Sequence, residues 1–182
     1  MGDFLKIALA GQLGAGCTEV AEIIVRKTGI KMFNSEAFIR KFVADSAMKF
    51  SNFEEYISSG EIRIDRIIEG LVLDTVNLES RVIVEGRSAF FLLKKEGIFK
   101  VLLVADDKFR TSRIAERRGI PLEEAEEEIK HSDEERGNLV KRFYGLNWLD
   151  PKNYHLVINT SFKKMEDVAE TVLAAYKLLF KW

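Results

Sequence analysis

The sequence holds one cysteine (Cys17), two histidines (His131 and His155) and two prolines in 182 residues. A single thiol excludes an intramolecular disulfide, and it leaves no cysteine cluster to hold a metal. The two histidines lie too far apart in the chain to form a zinc motif. No stretch approaches the roughly 18 consecutive apolar residues a membrane helix needs, and the first residues lack the apolar core of a secretion signal. Neither sign of charge is in excess. Lysine and arginine number 28 against 29 acidic residues, a net charge of −1, so no basic field draws nucleic acid or an anionic membrane. The expectation is a cytoplasmic protein of one domain, monomer or homodimer, whose partners are small molecules. The 47% hydrophobic content is enough for one good core at this length.

What is present is concentrated at the start. Leu5–Ala10 is a short apolar run of buried-strand character, and Glu19–Lys27 has helical apolar spacing at Val20, Ile23 and Ile24, closed by Thr28-Gly29. Between them lies Gly11-Gln12-Leu13-Gly14-Ala15-Gly16-Cys17-Thr18. This matches the phosphate-loop pattern G-x-x-x-x-G-K-[ST] except that Cys17 stands at the lysine. Gly11, Gly14 and Gly16 let successive amides turn into one concavity, to which the following helix adds its positive N-terminal end. Thr18 can place a hydroxyl on a magnesium ion. A thiol at a helix N-terminus also tends towards a lowered pKa. The alternative reading is a plain glycine-rich turn of an α/β protein.

Further along, Ile30–Asn34 reads as a strand, and Ser35 as the N-cap of a helix over Glu36–Lys49. Residues 51–60 read as turns around Phe53 and Tyr56, and 61–79 as a second helix. Arg81–Val84 is a strand that exits through Glu85-Gly86-Arg87, at the strand end where open parallel sheets hold ligands. Glu85 and Arg87 could equally pair with each other. A helix is expected next, then a strand over Ile98–Ala105. Arg110, Arg113 and Arg117 then line one face of a helix, either to neutralise phosphates or to pair with Glu116, Glu123 and Glu124. After Gly119-Ile120-Pro121 a helix resumes over Leu122–Arg136, with an acidic outer face. Tyr154–Thr160 is the fifth strand and Lys164–Lys181 the closing helix. Alternating strands and helices imply a parallel sheet covered on both faces.

With these motifs in order, the chain resembles the nucleoside monophosphate kinases, most closely the cytidylate kinase-like family of P-loop proteins, over nearly its full length. Gly11–Thr18 resembles the family's phosphate loop, and Ala37-Phe38-Ile39-Arg40 the start of its monophosphate-binding helix. Glu85-Gly86-Arg87 is similar to its glycine-arginine turn, and Arg110 to Pro121 to its lid. The match of Asp133, Arg136 and Arg142 to the returning lid helix is looser. The resemblance implies a three-layer P-loop kinase-like fold with a five-stranded parallel sheet in order 2-3-1-4-5. It implies a monophosphate-binding segment at about 34–80, a lid at about 110–143, and transfer of the ATP γ-phosphoryl group, with Mg2+, to CMP or dCMP. Carried over residue by residue, Gly11, Gly14, Ala15, Gly16, Cys17, Thr18 and Arg110 would hold ATP, and Thr18 the metal. Arg40, Gly86, Arg87 and Asp133 would hold the monophosphate, and Arg113, Arg117 and Arg136 would act on the transferring group.

Three positions depart from the family pattern. Cys17 replaces the lysine, Glu36 stands where glycine is usual, and His155 stands where aspartate is usual. Two other readings follow: a catalytically impaired protein that binds or senses nucleotide, and a kinase for another small metabolite.

Overall fold

The computed structural model describes residues 4–33, 35 and 64–180. Arg40, Glu36 and the expected elements over 36–63 lie outside the described residues. Strands β1 (Leu5–Gly11), β2 (Lys31–Phe33), β3 (Arg81–Glu85), β4 (Phe99–Val104) and β5 (Leu156–Asn159) form one sheet. All its pairings are parallel and its order is β2-β3-β1-β4-β5, as the resemblance implied. Among the described residues the helices are α1 (Cys17–Thr28), α2 (Ile64–Leu78), α3 (Asp107–Arg118), α4 (Leu122–Tyr144) and α5 (Met165–Leu179).

Side chains alternate across a strand, so β1 feeds two cores. Leu5, Ile7 and Leu9 point to the face covered by α1 and α5, joined by Ile83, Phe99, Val101 and Leu103. Ala8 and Ala10 point to the other face, with Val82, Val84, Leu102, the Val72–Val76 side of α2 and the end of α4 at Leu139 and Val140. The small alanines leave room there for Phe90, Phe91 and Trp148. A third, small cluster of Ile114, Ala125 and Ile129 joins α3 to α4, and Leu13 of the phosphate loop packs on it.

Two expected elements differ. The helix after β3 is a 3-10 segment, Gly86–Leu92, because Ser88 to Leu92 are all buried and no polar face remains for an amphipathic helix. Helix α4 runs past Arg136 to Tyr144. Gly137, a poor helix former, lies inside it beside the Trp148 indole, where a Cβ would make an ordinary contact with Nε1 at 3.5 Å, so packing there does not require glycine.

His155 sits just ahead of β5 and is knitted to β4. Its backbone N–H donates to the Lys100 carbonyl (2.8 Å), and its Nδ1 accepts from the Lys100 backbone N–H (2.9 Å). The ring stacks on Phe99 at 5.7 Å and meets Phe180 edge-on at 4.9 Å. Partial burial, helped by the Lys100 charge, holds the imidazole below its usual pKa. The unfolded chain therefore takes up this proton first as pH falls, and the contribution of His155 to stability is full above about pH 6.5 and lost below it. Melting curves from pH 8 down to pH 5 should show a falling Tm, and His155→Asn should flatten that fall. An unchanged slope in the variant would rule His155 out as the source.

Candidate active site

The loop after β1 is shaped by two left-handed glycines, Gly14 (φ 86°) and Gly16 (φ 92°), the second serving as N-cap of α1. Both approaches are close. A Cβ on Gly14 would lie 3.0 Å from the Arg110 carbonyl oxygen, and one on Gly16 would lie 2.5 Å from Met165 Sδ. The loop is braced from three sides. Thr160 Oγ1, buried at the end of β5, donates to the Ala15 carbonyl at 2.9 Å. Gln12 accepts from the Ala105 N–H (3.1 Å) and donates to Asp133 of α4 (3.3 Å). Arg110 donates to the Leu13 carbonyl (3.3 Å), to Asp133 (2.9 Å) and to Asp107 (2.6 Å).

An open cavity of about 860 Å³ lies over the loop, within the size range of small-molecule clefts. Gly11, Gly14, Gly16, Cys17 and Thr18 form its floor, Glu85, Gly86 and Arg87 one wall, and Arg113, Arg117 and Arg136 the other. Most of the residues expected to act together are thus brought to one space. Arg110 and Asp133 do not line it. They face each other behind the loop, with Arg110 only 3% exposed, so in this structure they hold the loop to the helices. Ala15 is fully buried and contributes its backbone. Arg40 lies outside the described residues.

The basic row of α3 does not make the ion pairs expected of its alternative reading. Arg113 pairs with Glu19 at 2.7 Å and Arg118 with Glu128 at 2.5 Å, not with Glu116, Glu123 or Glu124. Glu85 and Arg87 do not pair with each other either. Arg87 bonds Glu135 at 2.9 Å, and Glu85 accepts from Thr18 Oγ1 at 3.2 Å.

The Cys17 thiol corrects an expectation. Burial, with the Glu85 carboxylate nearby, pushes its pKa up to about 12, so the helix N-terminus does not make it a thiolate. The sulfur is turned back against Gly11, where an added Cβ would fall on it. Cys17 is a neutral, half-buried group in the loop floor. The cation nearest in effect is Arg136, buried at 8% exposure, which interacts electrostatically with both Cys17 and Glu85. Its Nη1 donates to the Ser132 carbonyl at 2.9 Å and to the Ser132 hydroxyl, while its Nε has no partner among the described residues.

The sequence places Glu85 at the ligand-holding strand end but assigns it no role there. The sequence signal is the carboxylate at that end; the structure adds that this strand pairs with β1, with Glu85 opposite Leu9, two positions before Gly11. Burial holds its pKa up, opposed by the Thr18 bond. Thr18 and Glu85 together offer hard oxygen donors, which suits Mg2+. Among the described residues no cluster of three metal-binding side chains exists.

A glycine loop at the start of a helix, a hydroxyl beside an acidic strand end and arginines on a helical hairpin define a P-loop protein with a kinase-like fold. The family model described as "Cytidylate kinase-like family" matches residues 6–162, and the chain belongs to that family. A cytidylate kinase of Archaeoglobus fulgidus is 30% identical over 96% of this chain and 96% of its own. One of Thermoplasma volcanium is 33% identical over 93% of this chain and 90% of its own. Among solved structures, an uncharacterized protein from Eubacterium ventriosum superposes with a TM-score of 0.72 at 18% identity, covering 93% of this chain and 96% of that one. Shikimate kinase from Acinetobacter baumannii does so with a TM-score of 0.61 at 18% identity, covering 97% and 93%. These two likenesses establish the fold. No helix among the described residues is long and apolar enough to cross a membrane.

Proposed function

We propose that this protein is a nucleoside monophosphate kinase that transfers the γ-phosphoryl group of ATP to CMP or dCMP. The observation that carries the reading is Arg136, a buried cation that lines the phosphate-loop cavity and acts electrostatically on the position where lysine is missing. Phosphoryl transfer needs positioning and charge stabilisation more than covalent chemistry from the protein. The loop amides and the N-terminus of α1 bind the donor phosphates, Arg113 and Arg117 neutralise them from the lid, and Arg136 spans the transferring group. Gly86 and Arg87, with Arg40, bind the acceptor phosphate. Thr18 and Glu85 would hold Mg2+, which supplies charge neutralisation on the donor phosphates. In this reading the whole chain is one domain, with a lid at about 110–143 and an acceptor segment at about 34–80.

One observation favours a second reading. The neutral Cys17 thiol supplies no charge to the donor phosphates, which would suit a protein that binds nucleotide without turnover. A kinase for another small acceptor is a third reading, since the acceptor segment is where the family resemblance is weakest.

Thermal shift with ATP–Mg2+ and with CMP, on the wild type and on Cys17→Lys, separates them. A ligand at 100 times its Kd stabilises by about 2.7 kcal/mol, several degrees in a chain of this size. The kinase reading expects the wild type to respond to both ligands and to form ADP and CDP in a coupled assay. Shifts without product, with product only in Cys17→Lys, support the binding protein. Turnover of no nucleoside monophosphate at high enzyme concentration overturns the kinase assignment.

A further inference from the structure

The cavity is not simply basic. Glu19, Glu22, Glu85 and Glu116 line it together with Arg87, Arg113, Arg117 and Arg136, four carboxylates against four guanidinium groups. Glu19 is singular among them. It follows Thr18 directly and occupies the first turn of α1, where the helix field favours negative charge. Its carboxylate also holds Arg113 of the lid helix at 2.7 Å. Those are the two attractions that a bound phosphate would draw on, the N-terminal end of α1 and a lid arginine. Arg113 has no other ion-pair partner in the described structure. Its guanidinium lies 5.5 Å from the Phe109 ring, which leaves it anchored on one side and available on the other. Arg117, one turn further along α3, has no side-chain partner among the described residues and meets an entering anion unopposed.

From this arrangement we infer that Glu19 is an internal competitor for Arg113, and that it sets the affinity of the cavity for nucleoside triphosphates. Binding exchanges one anion for another: the Glu19 carboxylate releases the guanidinium as a phosphate takes it up. The exchange is opposed both by the broken ion pair and by repulsion between the released carboxylate and the ligand. A triphosphate, with several negative charges and its metal ion, overcomes that opposition. A single small anion has far less to offer. The inference rests on the nucleotide-binding reading above and deepens it by naming the residue that limits affinity.

The test is equilibrium binding of ATP–Mg2+ to four proteins: wild type, Glu19→Gln, Arg113→Ala and the double variant, with melting temperatures as a check on folding. Removing a partly exposed competing charge should tighten binding about threefold to tenfold in Glu19→Gln, and the gain should shrink as salt is raised. Arg113→Ala alone should weaken binding. In the Arg113→Ala background, Glu19→Gln should gain clearly less than it does with Arg113 present, because only the charge repulsion is left to relieve. Three outcomes overturn the inference while leaving nucleotide binding intact. These are weaker binding by Glu19→Gln than by wild type, as a mere brace would require; equal binding; and a full gain kept without Arg113, which would make Glu19 a distant charge only. Failure of all four folded proteins to bind removes the nucleotide reading itself, and this inference with it.

Discussion

Arg136→Met should lower turnover by about 10² to 10³-fold, the usual loss when one preorganised donor to transferring charge is removed, while the melting temperature holds or rises. The two halves of this result have one cause. Arg136 is a buried cation whose Nε has no partner among the described residues, and burial together with neighbouring Arg87 holds its pKa down. Keeping it charged and dry costs folding free energy. Arg136 makes no salt bridge among the described residues, so an apolar side chain of similar length removes the cost of a buried charge without stripping a salt-bridged carboxylate of its partner. The Ser132 hydroxyl and carbonyl lose a donor, but the carbonyl already belongs to the α4 ladder. A folding defect as large as the rate loss would mean that Arg136 is structural. Measuring kcat and Tm on the same sample decides between them.

The second large effect is expected from Phe90→Ala, at about 3–5 kcal/mol of stability. Phe90 is fully buried, meets Trp148 edge-on at 5.6 Å, and lies in the 3-10 segment that follows the Glu85-Gly86-Arg87 turn. Its loss opens a cavity in the face where Ala8 and Ala10 already leave little side-chain mass. At about 2–4 °C per kcal/mol for a chain of this size, Tm should fall by roughly 6–20 °C. Because the same segment anchors the wall carrying Glu85 and Arg87, the proposed binding of a nucleoside monophosphate should also weaken below the temperature at which the variant melts. A loss under about 1 kcal/mol in denaturant titration would show that the site collapses around the truncation.

The strands were readable because buried parallel strands need continuous apolar runs, and Leu5–Ala10, Val82–Val84 and Val101–Val104 supply them. The loop was readable for a similar local reason: its glycines and Thr18 are contiguous. The sheet order came with the family resemblance, since periodicity carries no information about which strands are neighbours. What stayed hidden were facts of pairing across distance. Arg110 reads as one of three equivalent arginines, yet Asp133 from the next helix and the Leu13 carbonyl turn it inward. Glu85 finds Thr18 only because β1 and β3 are adjacent. The helix N-terminus at Cys17 suggested an acidic thiol. Burial, which depends on everything packed around it, reversed that.

The small cluster of Ile114, Ala125 and Ile129 has a mechanical consequence. The hairpin of α3 and α4 carries a private core, separate from both faces of the sheet, and only Leu13 reaches into it from the phosphate loop. Behind that contact sits the latch of Gln12, Arg110 and Asp133. A tilt of the hairpin therefore pulls on the loop through two handles, one greasy and one ionic. The floor and the roof of the cavity are geared together. On the proposed lid reading, a ligand that drew the arginines downwards would also tension the backbone beneath it.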